Sequence, residues 1–376
     1  MNQGTTYVGM DVHKNDIAVC LLSGEGNEAQ EWTVAHTKQS VNRLIRRLKR
    51  AGGSDVESAY EAGPCGYALR RQFEAAGVGC QVVAPSLVPV RPGDRIKTDR
   101  RDARKLAEML RAGLLVEVHP PSEEEESLRD LCRCREDLKQ NLMRARHRLG
   151  KMLLRRGLVY REGGNWTRRH REWLQKLDFE QEIDRFVFAE YLAGVEIVEA
   201  RLSAVDQKLI EVSEAEPWAE RIGWLRCFRG IDTVTAMTIL AELHDFRRFH
   251  SPRQLMCYLG LVPREYSSGE SQHRGGLTKA GNSHVRRVLV EAAWHYRHRP
   301  AVGVKLRQRR RGQPAAMIAL ADRAQQRLYG RYGRLVLGRG KPPTKAVAAL
   351  ARELAGFIWA ALYLYPQQRG MEAEAK

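Results

Sequence analysis

TYVGMDVHKNDIAVCLL (Thr6–Leu22) holds two short runs of β-forming residues separated by HKN. Such a pattern predicts two antiparallel strands joined by a tight turn. EWTVAHT (Glu31–Thr37) reads as a third strand, so three strands precede the first helix. That helix, QSVNRLIRRLKR (Gln39–Arg50), shows a 3.6-residue apolar period and is stopped by Gly52 and Gly53. DVESAY (Asp55–Tyr60) is a fourth strand, Pro64 opens a helix ended by Gly77, and GCQVVA (Gly79–Ala84) is a fifth strand. A Pro/Gly-rich loop, Pro85–Gly93, then leads to a helix over Asp99–Ala112.

The order β-β-β-α-β-α-β-α predicts a mixed sheet whose first three strands run antiparallel, an RNase H-like (RuvC-like) arrangement. A doubly wound fold does not open on three consecutive strands. The rest of the chain reads as helical, giving an overall class of α/β plus α. Leu128, Leu131, Arg135, Leu138, Leu142, Ala145, Leu149 and Met152 step by three and four, as do Phe188, Tyr191, Val195, Val198, Leu202, Val205, Leu209 and Val212. This predicts an antiparallel coiled-coil hairpin around a polar insert containing GGNWTRRHREW. After Pro217, LRCFRGIDTVTAMTILAEL (Leu225–Leu243) suggests a helix-hairpin-helix-like element centred on Gly230. A Gly/Ser-rich basic loop and further basic helices follow. The expected domains are 1–118 (RuvC-like), 119–216 (coiled-coil hairpin), 217–366 (C-terminal helical domain) and a 367–376 tail.

The 376 residues carry a net charge of +18. Between Ser251 and Arg352 there are 21 Lys/Arg against 4 Asp/Glu, so nearly all the excess lies in the last third. A domain that basic repels itself unless a polyanion is near, and nucleic acid is the first partner to consider. The seven cysteines are scattered without zinc-ligand spacing, which suits reduced thiols in a cytoplasmic protein. No secretory signal is read in MNQGTTYVGMDV. The apolar run AGFIWAALYLY (Ala355–Tyr365) is too short to span a bilayer, so no membrane partner is expected.

The carboxylates fall at informative places. Asp11 lies near the end of the first strand, Glu61 just past the fourth, and Asp99 and Asp102 share a face of the helix after the fifth. In the expected sheet the first and fourth strands are neighbours and the last helix crosses their ends. Four carboxylates brought together repel one another, and a divalent cation such as Mg²⁺ removes that repulsion. Two such ions suit phosphodiester cleavage. Lys97, Arg100, Arg101 and Arg104 flank the two helical aspartates and are candidates for nucleic-acid phosphate contact.

Three motifs, YVGMDVHK, YEAGPCGY and KTDRRDARKLAE, resemble the acidic motifs of the DEDD transposases of bacterial insertion sequences (the insertion sequence 110/1111 family). SPRQLMCYLGLVPREYSSGESQHRGGLTKAGNSHVRRVLVEAAW resembles the transposase block of the same family, and the resemblance covers almost the whole chain. It implies Asp11, Glu61, Asp99 and Asp102 as the catalytic, metal-binding set and Ser268, before the glycine of the SG pair, as a nucleophile. Ser267 is the nearest alternative. The resemblance also implies target and donor DNA as substrates, a guide (bridge) non-coding RNA, and a homo-oligomer, dimer or tetramer, with composite active sites. Arg264, Arg274, Lys279, Asn282, Arg286 and Arg287, and the basic run Arg309, Arg310 and Arg311, read as nucleic-acid ligands. Asp232 stands where the family pattern leads us to expect a second glycine. The rival expectation is a RuvC-like structure-specific endonuclease in which Ser268 is structural.

Overall fold

β1 (Thr6–Val12) and β2 (Asp16–Leu22) pair antiparallel, Tyr7 opposite Leu22 and Val12 opposite Ile17. The turn between them closes where the His13 N–H donates to the Asp16 carbonyl at 2.9 Å. β3 (Ala29–Ala35) pairs antiparallel with β2. After α1 (Lys38–Gly52), β4 (Val56–Glu61) runs parallel to β1. α2 (Ala68–Ala75) then leads to β5 (Gly79–Val83), parallel to β4. The result is a five-stranded mixed sheet in the order β3-β2-β1-β4-β5. α3 (Asp99–Arg111) completes the α/β part. α2 starts later than Pro64 because the segment before it turns, with Gly66 at φ +62° and its carbonyl accepting from the Tyr60 hydroxyl at 2.9 Å.

The computed structural model describes residues 4–23, 28–52, 55–89, 98–268 and 271–366, together with the backbone but not the side chains of Gln272 and Arg274. The expected tail, 367–376, lies outside the described residues. The chain forms two compact units, Met1–Pro121 and Ser122–Lys376.

In the first unit both faces of the sheet are covered, so β1 and β2 are almost continuously buried. One face packs Val8, Met10, Ile17 and Val19 against Val41, Leu44, Ile45 and Leu48 of α1 and Leu69 and Phe73 of α2. On the other face the contacts are small: Ala18 and Cys20 meet Ala103 and Ala107 of α3. Gly9 makes this close approach possible. A Cβ there would lie 2.0 Å from the Ala103 carbonyl oxygen and 2.4 Å from the Ala107 nitrogen. The absence of a side chain at one strand position therefore fixes where α3 crosses.

The second unit begins with α4 (Glu123–Arg155), started by a capping box in which Ser122 and Glu125 bond reciprocally. α5 (Arg168–Gln175) lies in the polar insert, and α6 (Glu182–Ser213) returns along α4. The two long helices run antiparallel: Arg135 pairs with Asp206, Arg146 with Glu199 and Arg156 with Asp184. Leu142, Leu149, Met152, Phe188 and Val195 fill the seam, and Arg135, the polar member of the apolar series, is satisfied by its aspartate. α7 (Ala219–Arg226) and α8 (Thr233–Leu243) flank Gly230, and α9 is Pro252–Tyr258. Then come β6 (Pro263–Ser268), β7 (Ser271–Leu277), α10 (Ser283–Ala293), α11 (Val304–Arg310), α12 (Ala315–Val336) and α13 (Pro343–Trp359). One core joins Leu128 of α4 and Leu209 of α6 to Trp224, Phe228, Ile239, Leu289, Tyr296, Leu328 and Leu354, which is why the helix pair belongs to this unit.

Two expectations change. The Gly/Ser-rich stretch after Leu259 is an antiparallel two-stranded ribbon, β6 with β7, rather than a loop. Also, α13 continues through a π-helical turn to Leu364, making a helix long and apolar enough to cross a membrane by length and composition. Eight of its residues, from Ala346 to Trp359, are buried in the protein core instead.

Candidate active site

β1 and β4 lie side by side with Met10 opposite Tyr60, so the next step along each strand sets Asp11 beside Glu61. α3 packs over β1 through Gly9 and brings its first turn to the same strand ends. Thr98 caps that turn by accepting from the Arg101 N–H, and Asp99 and Asp102 both fall within it. Carboxylates in the first turn of a helix are favoured by its dipole, so this end of α3 tolerates two of them.

One oxygen from Asp11, one from Asp99 and a ring nitrogen of His13 lie within 4.8 Å of one another. His13 Nε2 sits 3.4 Å from Asp11 Oδ2 and 3.5 Å from Asp99 Oδ1, between the two carboxylates. The structure thus unites Asp11 and Asp99. It places Glu61 at the neighbouring strand end and Asp102 three residues beyond Asp99 in the same first turn of α3, both outside this three-residue set. His13 was not anticipated from the sequence. Its backbone is pinned as well, its carbonyl accepting from His36 Nδ1 at 2.7 Å. A donor set of two carboxylates and an imidazole suits a divalent cation; the oxygens suit Mg²⁺ or Mn²⁺, and the nitrogen suits a softer ion such as Zn²⁺ or Fe²⁺.

Ser268 ends β6 with Ser271 opposite it, and every residue of β6 is exposed. Ser267 donates its hydroxyl hydrogen to Glu265 Oε1 at 3.2 Å. The foot of the ribbon is tightly built. A Cβ on Gly260 would lie 2.3 Å from the Ala280 carbonyl oxygen, and one on Gly281 would lie 1.9 Å from that of Tyr258. Both glycines have positive φ, so the chain turns sharply into and out of the ribbon.

The anticipated nucleic-acid ligands divide. Arg100, Arg101, Arg264, Lys279 and Arg311 are exposed. Arg104 is exposed too but bonds Glu108 at 3.2 Å. Arg286 instead donates to the carbonyls of Leu259 and Ala280, both at 2.9 Å, and so ties the ribbon's foot. Arg287 bonds Glu136 at 2.6 Å and Glu291 at 2.9 Å. Asn282 caps α10 and donates to Glu242 at 2.7 Å. Arg309 pairs with Asp232 at 3.2 Å. Asp232 itself caps α8, so the expected glycine is replaced by a side chain that starts a helix. Arg310 corrects its expectation outright: it is buried, bonding the Cys227 carbonyl at 3.0 Å and Asp322 at 2.7 Å. Arg274 stands opposite Glu265 in the ribbon, its side chain undescribed, and Lys97 lies outside the described residues.

Behind the ribbon, Glu242 is almost wholly buried, gripped by Arg133 at 2.8 and 3.0 Å and by Asn282. Burial pushes its carboxyl upward, but these hydrogen bonds outweigh burial and hold it below the usual range.

The strand-end carboxylates and the helix bearing two more all lie in a stretch that a transposase family profile matches. A family profile for the DEDD transposases of the IS110 type matches residues 8–156, and one described as "Transposase IS116/IS110/IS902 family" matches residues 224–308. The chain is 42% identical to y4qE of Sinorhizobium fredii, a protein named as a transposase, over 94% of this chain and 87% of that one. It is 37% identical to the transposase for insertion sequence element IS1533 of Leptospira borgpetersenii, over 89% and 98%. The transposase for IS1111A of Coxiella burnetii is 25% identical over 84% and 86%. The chain belongs to the IS110/IS116/IS902 family of transposases, enzymes that cut and rejoin DNA.

Proposed function

We propose that this transposase cuts and rejoins DNA through a serine nucleophile, Ser268, assisted by Mg²⁺ held on Asp11, Glu61, Asp99 and Asp102. The observation that carries the metal half is the convergence of Asp11 and Asp99 at one corner of the sheet. Bound there, the cation supplies Lewis-acid polarisation of a phosphate oxygen. Asp11 and Asp99 hold fixed positions because β1 and α3 are locked through Gly9. Ser268 contributes the attacking oxygen: its Oγ gives up its proton and bonds to phosphorus, the bond from phosphorus to one sugar oxygen breaks, and that oxygen takes up the proton the serine released. The phosphoserine link conserves the phosphoester for rejoining. The exposure of Ser268 on a projecting ribbon supports this role, since a nucleophile for a polymeric substrate must be reachable.

Target and donor sites are chosen in this reading by a non-coding RNA, so the protein reads backbone and shape. The basic excess of the C-terminal third and the absence of any recognised base-reading motif in the sequence support it. Exchange between two duplexes calls for a homo-oligomer. A second reading, a metal-only endonuclease, is favoured by one observation: all four acids and His13 belong to the first unit alone.

The test incubates protein, the RNA encoded beside its gene, target and donor DNA with Mg²⁺, followed by protease. A peptide–DNA adduct lost in Ser268→Ala supports serine chemistry. Nicking that survives Ser268→Ala but not Asp11→Ala supports the endonuclease.

A further inference from the structure

The register of the ribbon separates its two faces. Tyr266 stands opposite His273, and Ser268 opposite Ser271. Residues directly opposite in an antiparallel pair share a face, and neighbours along a strand alternate. Tyr266, Ser268, Ser271 and His273 therefore lie on one face. Arg264 lies at the register irregularity between Pro263 and Glu265 and packs beside Gly275, two residues beyond His273: a Cβ there would touch the Arg264 Cβ at 3.4 Å. Glu265 and Ser267 take the other face, where their side chains bond each other. Among the described side chains, the ribbon's carboxylate and its proposed nucleophile are thus on opposite sides.

The Tyr266 ring is 85% exposed on a strand with no buried residue. A two-stranded ribbon solvated on both faces gains little from its own packing. This one is nevertheless rigidly rooted: Thr278 N–H donates to the Val262 carbonyl at 2.9 Å and Lys279 N–H to that of Gly260 at 3.1 Å, beside the Arg286 clamp. A rigid projection carrying an aromatic ring, a guanidinium, an imidazole and hydroxyls on a face without a carboxylate among the described side chains has the chemistry of a single-strand platform, in which rings stack on bases and polar groups meet phosphates.

We propose that this face binds a DNA strand, with Tyr266 stacked on a base beside the phosphodiester that Ser268 attacks, and Arg264 and His273 against flanking phosphates. The assignment of the attacked bond rests on the serine reading above; strand binding does not. Stacking is sequence-tolerant, which suits an enzyme whose site choice lies elsewhere.

The test uses the full chain with Ser268→Ala, so that no covalent chemistry intervenes, and a single-stranded DNA oligonucleotide carrying 2-aminopurine, whose fluorescence is quenched on stacking. Quenching is expected in this background. Adding Tyr266→Ala should abolish the quench and weaken binding about tenfold, within the range one stacked base contributes. Tyr266→Phe should retain both, and Ser267→Ala, on the opposite face, should change neither. Unchanged quenching and affinity in Tyr266→Ala overturn the proposal. So does quenching with an RNA of the same sequence but not with DNA, which assigns the face to RNA. Because this readout needs no adduct, a failed serine assay and a failed stacking assay are distinguishable.

Discussion

The acidic corner and the β6–β7 ribbon carry the two halves of the proposed chemistry, and they are built by opposite means. The corner is fixed by framework. Parallel strands fix Asp11 against Glu61, and a helix pressed onto Gly9 delivers Asp99, leaving His13 between two carboxylates. The ribbon has a tight foot and bare strands, and Ser268 has solvent around it. A cation site gains from preorganisation, because carboxylates must be held together against repulsion before the ion arrives. A strand-binding face gains from projection, because its partner is long and supplies the missing contacts itself.

The corner therefore breaks through its scaffold and the ribbon does not. Gly9→Val has the largest expected effect. Its side chain would meet backbone atoms of α3, which cannot step aside as a flexible side chain can. Overpacking a tight core costs typically 1–3 kcal/mol and sometimes more, so a loss of at least about 3 kcal/mol is expected here. Thermal unfolding followed by circular dichroism checks it. A Gly9→Val protein with wild-type stability would show that α3 is not seated as described.

Asp99→Ala comes next. Asp99 is exposed in a first helical turn, so its removal should leave the unfolding midpoint within a few degrees. Strand cleavage should nevertheless fall by more than the roughly 10–100-fold lost when a mere outer-shell partner of a metal is removed. Cleavage and stability measured on the same preparation separate a ligand from a scaffold residue.

The corner was more legible than the ribbon for physical reasons. Runs such as TYVGMDV and GCQVVA are apolar because both faces of their sheet are covered, and turn residues bound them. The sequence begins this helix at Asp99, where the structure begins α3, so Asp99 and Asp102 are legible as i,i+3 neighbours on one face. His13 was missed because HKN reads as a turn; its position two residues past Asp11, at a strand end, was the available signal. The strands PREYSS and SQHRGGL escape because β6 is exposed throughout, as are the described side chains of β7 apart from the half-buried Leu277, so no alternation is imposed on them. The basic residues misled where their partners are remote in sequence. Nothing near Arg287 announces Glu136, and nothing in RRR announces that Arg310 is interior.

A third prediction concerns the second unit away from the exposed strands. Arg133→Met leaves a buried carboxylate with Asn282 as its remaining partner among the bonds described, and a loss of about 3 kcal/mol is expected. The pH dependence has a definite sign. Glu242 is held below its ordinary range in the fold, so its contribution is present above that range and lost as pH falls through the folded value. His244 is held by burial at about 4, below its unfolded 6.5, so its contribution is full above pH 6.5 and lost between 6.5 and about 4. Both trends agree: this unit weakens on acidification. Urea unfolding of the wild type at pH 7 and pH 5 checks this, and a midpoint that rises at pH 5 contradicts it.

The smallest expected effect is the most discriminating for the ribbon. Ser267 and Ser268 are adjacent, both hydroxyl-bearing and both exposed, and composition gives no reason to prefer either. Their faces differ. Ser267 donates to Glu265, whereas Ser268 shares its side with Tyr266 and His273. The face with the aromatic ring and Arg264 is the better one for a DNA strand. Ser267→Ala should therefore change the yield of protease-resistant peptide–DNA adduct by no more than about twofold, the scale of 0.5 kcal/mol for a surface substitution. Ser268→Ala should remove the adduct. If Ser267→Ala removes it instead, the nucleophile lies on the carboxylate-bearing face, with Glu265 placed to take its proton, and the division of labour between the two faces must be reversed.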